Sequence, residues 1–255
     1  MKISYDDKIL IAGSGQYYMY DIALCEAFHD NGYYNTFLFA WNDYFSDNTL
    51  VDRLVKKIEV KIACGIKARK FNNDLIVKCI NENVKILFIY TCRLLFPSTI
   101  KRIAEMGIIT ISYCNDNPFS NYYPWFFWKN YRNSLKYCTI NYAYRWENVY
   151  DIEKKCGRQG KLLRSYYIES RNHLCNEEDI IDNIPEVVFL GHYEDDYRME
   201  YLRALVSAGV TVGLPKRVFE KYVSEMSNVV VLDEESIKYN EYICSCKIPI
   251  TFLST

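Results

Sequence analysis

The feature that most constrains this chain is an alternation repeated along its length: a short, almost unbroken apolar run, then a longer stretch with apolar residues at helical spacing. Runs such as KILFIYT at 85–91 leave no polar face for water, so they predict parallel strands covered by helices on both sides. Strands are expected over 8–14, 36–41, 85–91, 108–113, 139–144 and 162–168. Helices are expected over 17–30, 50–63, 74–81, 97–106, 125–137 and 147–156. The rhythm lapses into a polar stretch and then resumes with strands at 186–190, 210–214, 229–232 and 248–253 and helices at 200–207, 218–226 and 236–246. The pattern predicts an α/β protein with two Rossmann-like domains, 1–168 and 186–255, joined by a linker at 169–185.

Composition narrows the partners. The net charge of -1 gives the chain as a whole no general preference for nucleic acid or an anionic surface. No stretch reaches the roughly 18 apolar residues of a membrane span. The 10 cysteines are scattered through core-like segments, which predicts reduced thiols and a cytoplasmic protein. Cys244 and Cys246 form the one tight pair and have no histidine close in sequence, so no metal site is expected.

In open parallel sheets ligands bind at the carboxyl ends of strands, and four such ends carry chemistry. Gly13-Ser14-Gly15-Gln16-Tyr17 is a glycine turn after the first strand, serving either as a tight turn or as a ligand loop. The dinucleotide fingerprint fails there because Tyr18 stands where a third small residue is needed. Arg93 follows the 85–91 strand and suits either a surface ion pair or a bidentate anion contact. Asn115-Asp116-Asn117-Pro118 is a favourable turn that also offers a carboxylate and two amides to sugar hydroxyls, with Asp116 a candidate general base. Gly191 and His192 follow the first strand of the second series, and Arg198 falls near the start of the next helix, where guanidinium and helix dipole together favour a diphosphate. The alternative for Arg198 is a local pair with Glu194, Asp195 and Asp196, which are also ordinary N-cap and first-turn residues.

These segments carry a resemblance. KILIAGS, FPSTIKRIAEMGIITISYCNDNPFS, WKNYRNSLKYC, LLRSYYIES and VVFLGHYEDDYRMEYLRAL, in that order, resemble the CgeB-like, or spore-maturation-protein-like, glycosyltransferases of bacteria. The resemblance implies a GT-B arrangement, with an acceptor-side first domain and a donor-side second domain, and no metal or cofactor beyond a nucleotide-sugar substrate. It places Gly191, His192 and Arg198 near the donor phosphates. Gly13, Ser14, Gly15, Tyr17, Arg93, Asn115 and Asn117 fall on the acceptor side, and Asp116 or His192 becomes the base. Such proteins resume after a strand like ITFLS with an Arg/Glu-rich segment, so the second domain is expected to be incomplete here. The expected activity is sugar transfer to a glycan, protein or small-molecule acceptor, weakened or lost in this form. The alternative is a non-catalytic binding protein, with self-association through an uncovered final strand.

Overall fold

A computed structural model describes residues 3–16, 18–164, 166–169, 172–191, 193, 196–216, 219, 226–232 and 239–252. The chain divides into two compact units, Met1–Tyr166 and Tyr167–Thr255.

The first unit is a six-stranded sheet in the order β2-β1-β3-β4-β5-β6. Its strands are β1 (Ile9–Gly13), β2 (Thr36–Ala40), β3 (Ile86–Tyr90), β4 (Ile109–Cys114), β5 (Ile140–Ala143) and β6 (Gly160–Leu162). Every pairing is parallel, with Ile11 opposite Leu38 on one side and Phe88 on the other. Each residue of β1 and β3 is buried, because alternate side chains leave opposite faces and both faces are covered. Leu10, Ala12, Leu87 and Ile89 pack with Phe71, Leu75, Ile100 and Ile103 of α3 (Ile66–Asn81) and α4 (Pro97–Glu105). Ile9, Ile11, Ile86 and Phe88 pack with Leu24 and Phe28 of α1 (Asp21–Asp30). α2 (Leu50–Ile62), α5 (Lys129–Ser134) and α6 (Trp146–Cys156) complete this unit. His29 Nε2 lies 2.9 Å from the Thr36 carbonyl oxygen and ties α1 to β2.

The second unit has a four-stranded parallel sheet in the order β10-β7-β8-β9. The strands are β7 (Val187–Phe189), β8 (Val212–Pro215), β9 (Val229–Leu232) and β10 (Ile248–Ile250). α7 (Arg198–Ser207) lays Met199, Leu202 and Val206 on Val187, Phe189 and Leu214. Tyr242 of α8 (Tyr239–Ser245) packs with Val188 and Leu232 in a second cluster.

Several element boundaries differ from the sequence expectation, each for a local reason. α1 starts at Asp21 rather than 17, because the Asp21 side chain turns back to the glycine turn. α3 begins eight residues early, at Ile66, where Glu59 caps its first turn. The helix expected over 125–137 shrinks to α5 and a 3-10 turn (Leu135–Tyr137), while Arg132 binds the Trp125 carbonyl oxygen and holds that residue outside the helix. The strand expected over 162–168 ends at Leu162, where pairing with β5 stops. Most of the helix expected over 218–226 lies outside the described residues.

All ten cysteines are free thiols. Burial pushes Cys79, Cys92 and Cys138 up to about 12, which makes them poor nucleophiles. Among the described residues no cluster of three or more His, Cys, Asp or Glu is placed to hold a metal ion, and no helix is long and apolar enough to cross a membrane.

Candidate functional site

β2 lies on one side of β1 and β3 on the other, so the carboxyl ends of β1 and β3 flank the point where the sheet changes direction. A cavity of about 380 Å³ opens there, within the first unit. It combines charged and amide groups at strand ends with a wall of tyrosine, tryptophan and phenylalanine, a make-up typical of small-molecule sites.

Ser14, Arg93, Asn115 and Asp116 all line it. Arg93 lies over Phe127, its guanidinium carbon 3.6 Å from the ring centroid, and donates from Nη1 to the Phe127 carbonyl oxygen at 3.3 Å. That stacking fixes the plane of the guanidinium while leaving it charged, although burial lowers its pKa. Asp116 keeps contact with solvent but is closely surrounded by protein. The crowding raises its carboxyl pKa, and the charges of Arg145 and Arg93 pull it back part of the way. Asn115 accepts from the Thr91 hydroxyl through Oδ1 at 3.1 Å, and its carbonyl oxygen accepts from Arg145 Nη1 at 3.0 Å. Thr91 has φ of 46°, a left-handed conformation that a β-branched residue seldom adopts. It bends the chain out of β3 so that its hydroxyl meets Asn115 and Arg93 turns toward the cavity.

The glycines of the first turn have packing reasons. A Cβ on Gly13 would sit 2.1 Å from Asp21 Oδ2, and one on Gly15, at φ +69°, would sit 2.4 Å from the Ala40 Cβ. The Gly15 N–H is already given to Asp21 Oδ2 at 2.6 Å. Asp21 is 1 % exposed, and its other oxygen has no hydrogen-bond partner among the described residues. A buried carboxylate at the start of α1 stands where a dinucleotide would put its pyrophosphate, so this turn is unsuited to that ligand. The only sign of it in sequence was an acid eight residues beyond Gly13, which reads equally well as an ordinary first-turn charge.

Asn117 is drawn away from the cavity. Its Oδ1 accepts from Asn148 Nδ2 at 2.7 Å and from the Phe119 N–H at 3.0 Å, and its Nδ2 donates to Glu147 at 3.1 Å. It locks the turn rather than lining the site. Tyr17 and His192 lie outside the described residues.

Sequence reasoning missed Arg145 and the aromatic wall. Arg145 sits between β5 and α6, where a basic residue after a strand end was the available signal. In the wall, Tyr20 stacks on Tyr90 with centroids 5.9 Å apart. The Tyr90 hydroxyl lies 3.4 Å from that of Tyr166, which itself reaches the carbonyl oxygens of Met19 and Tyr20 at 3.3 and 3.1 Å. Burial raises the Tyr90 pKa strongly, so its hydroxyl stays protonated.

In the second unit, a Cβ on Gly191 would come within 2.3 Å of the Phe189 ring. Arg198 is 5 % exposed, with Nε 3.1 Å from Asp196 Oδ2, an ion pair without the alignment of a hydrogen bond. Asp196 Oδ1 accepts the Arg198 backbone N–H at 3.0 Å. The local pairing weighed from the sequence is thus the arrangement that forms.

No family model and no curated protein matches the chain. Solved structures do match in fold. The S. aureus MnaA–UDP structure aligns with a TM-score of 0.62 at 9% identity, over 95% of this chain and 73% of that one. HepE from Anabaena, in complex with UDP and glucose, aligns at 0.56 with 10% identity over 95% and 73%. UDP-GlcNAc 2-epimerase from Neisseria meningitidis, bound to UDP-GlcNAc, aligns at 0.51 with 8% identity over 92% and 74%. At such identities the likeness concerns the fold alone, an α/β fold of two Rossmann-like domains.

Proposed function

We propose that this chain is a nucleotide-sugar-dependent glycosyltransferase of the CgeB-like kind, with residues 1–168 serving the acceptor and 186–255 the activated sugar. The observation that carries the reading is the meeting of Asp116, Arg93 and Asn115 with an aromatic wall in one cavity at the sheet's switch point. The fold supports it, since the similar structures hold UDP, UDP with glucose, and UDP-GlcNAc.

In this reading an acceptor hydroxyl lies against Asp116, whose crowded carboxylate takes its proton as the new glycosidic bond forms. Asn115 and Arg93 orient the acceptor. The departing diphosphate is stabilised by positive charge and the start of α7, with Arg198, Gly191 and His192 on that side. Arg198 must then exchange Asp196 for the phosphates when donor binds. The second reading, a non-catalytic binding protein, is favoured by that same buried pairing of Arg198.

The test is a thermal-shift titration against UDP-, GDP-, ADP- and dTDP-sugars. A ligand held by the folded form alone raises Tm by mass action, by an amount equivalent to about 2.7 kcal/mol at a hundred times Kd. A shift with one nucleotide, followed by acceptor-dependent release of that nucleoside diphosphate, supports transfer. No shift with any of them, on folded protein, leaves the binding-protein reading in its place.

A further inference from the structure

α2 is built inside out. Leu50, Val51, Leu54, Ile58 and Ile62 point to solvent at 47–81 % exposure, and Ile66, which opens α3, is 82 % exposed. The one buried residue of the helix is an acid, Glu59. An amphipathic helix of a globular domain normally turns its apolar stripe to the core.

Val60 packs against the core, and the rest of the hold on α2 is polar. Thr49 and Asp52 form a capping box at its start. Glu59 accepts the Ile66 N–H at 2.9 Å and the Ala68 N–H at 3.0 Å, which fastens the helix to α3. Asn130 donates to the Ala63 carbonyl oxygen at 2.7 Å, and Lys56 pairs with Asp47 at 2.7 Å. Both acids of the helix are spent on these caps, so its outward side carries only positive charge. Arg53, Lys57 and Lys61, at four-residue spacing, are exposed along one border of the apolar stripe. The near-zero charge of the whole chain conceals this local surplus.

We propose that the outward face of α2 seats the first unit on an anionic lipid bilayer. The helix has 13 residues and is about 20 Å long, too short to span a bilayer and suited to lie in its plane. The stripe is aliphatic throughout, without the Trp and Tyr anchors that concentrate affinity at protein interfaces. Lysine and arginine stems run beside it and lift their charges toward headgroup phosphates. Charge complementarity and the shape of the face therefore agree on the same occupant. The inference stands apart from the proposed transfer reaction, since its readout needs neither donor nor acceptor.

The test is co-sedimentation of the intact chain with vesicles of phosphatidylcholine alone, and of phosphatidylcholine with phosphatidylglycerol in equal parts. The chain is expected to pellet with the anionic vesicles, to be released as salt rises, and to stay in solution with the neutral ones. Leu54→Ser/Ile58→Ser should cut the partition about tenfold or more. Lys57→Gln/Lys61→Gln should cut it about tenfold. Because these side chains face solvent, both variants should melt with the wild type. Folded wild type that ignores anionic vesicles would overturn the proposal, as would undiminished binding by the apolar variant. A dimer in sedimentation equilibrium that Leu54→Ser/Ile58→Ser abolishes, with no vesicle binding, would assign the face to a second copy and overturn it equally.

Discussion

At the scale of single residues, Asp116 carries the clearest consequence. Its raised pKa means that the folded state favours the protonated carboxyl more than the unfolded chain does. That preference supports folding fully below the ordinary aspartate value, roughly 3.9, and is lost as pH rises through the higher native value. Asp116→Asn should therefore melt at or above the wild type at neutral pH, with the difference closing near pH 4. Transfer activity should fall by about 10²–10⁴ if the residue is the base. A variant that melts lower at neutral pH would show that the ionised carboxylate is structural instead. Asp21 makes the opposite case. Asp21→Ala would strip the Gly15 N–H of its acceptor and leave a void in the turn, at a cost of about 1–3 kcal/mol in urea unfolding. Asp116 was legible in the sequence because strand ends can be followed by eye. Asp21 was not, because its burial depends on Gly13 lacking a Cβ, a condition visible only in three dimensions.

At the scale of elements, the junction of α2 and α3 offers a cleaner test of cause. Gly65 has φ of 143°, and a Cβ there would lie 2.1 Å from the Glu59 Cδ. Gly65→Ala should cost about 2 kcal/mol or more. Glu59→Ala should cost about 1–2 kcal/mol by uncapping α3. The double variant should cost less than the two together, by about 1 kcal/mol, because removing Glu59 also removes the clash. Additive losses in a urea denaturation cycle would mean that the two residues act separately. The strands were legible because a run buried on both faces has one reading: β1, β3 and β4 fall where the apolar runs predicted. Helix starts were less so: α1 and α5 each send one of their own side chains, Asp21 and Arg132, back to a backbone group outside the helix, and α3 begins where Glu59 of α2 captures its first N–H groups.

At the scale of the whole molecule, each unit has its own parallel sheet with apolar clusters around it. Limited proteolysis is expected to release a resistant fragment ending close to Tyr166, where the compact first unit ends. Early cuts within β3 or β4 would contradict the division. The two-domain plan was readable from the rhythm of the sequence, but the placement of Tyr166 was not, because nothing local marks a tyrosine that reaches back across the sheet. Its hydroxyl has a single hydrogen, which goes to the carbonyl oxygens of Met19 and Tyr20, leaving Tyr90 to donate to it. The residue at which the chain leaves the first unit thus acts as a clasp on the aromatic wall of the cavity. Anyone excising that unit for crystallisation or screening should keep Tyr166, since a cut a few residues earlier would yield a sheet whose cavity has lost its latch.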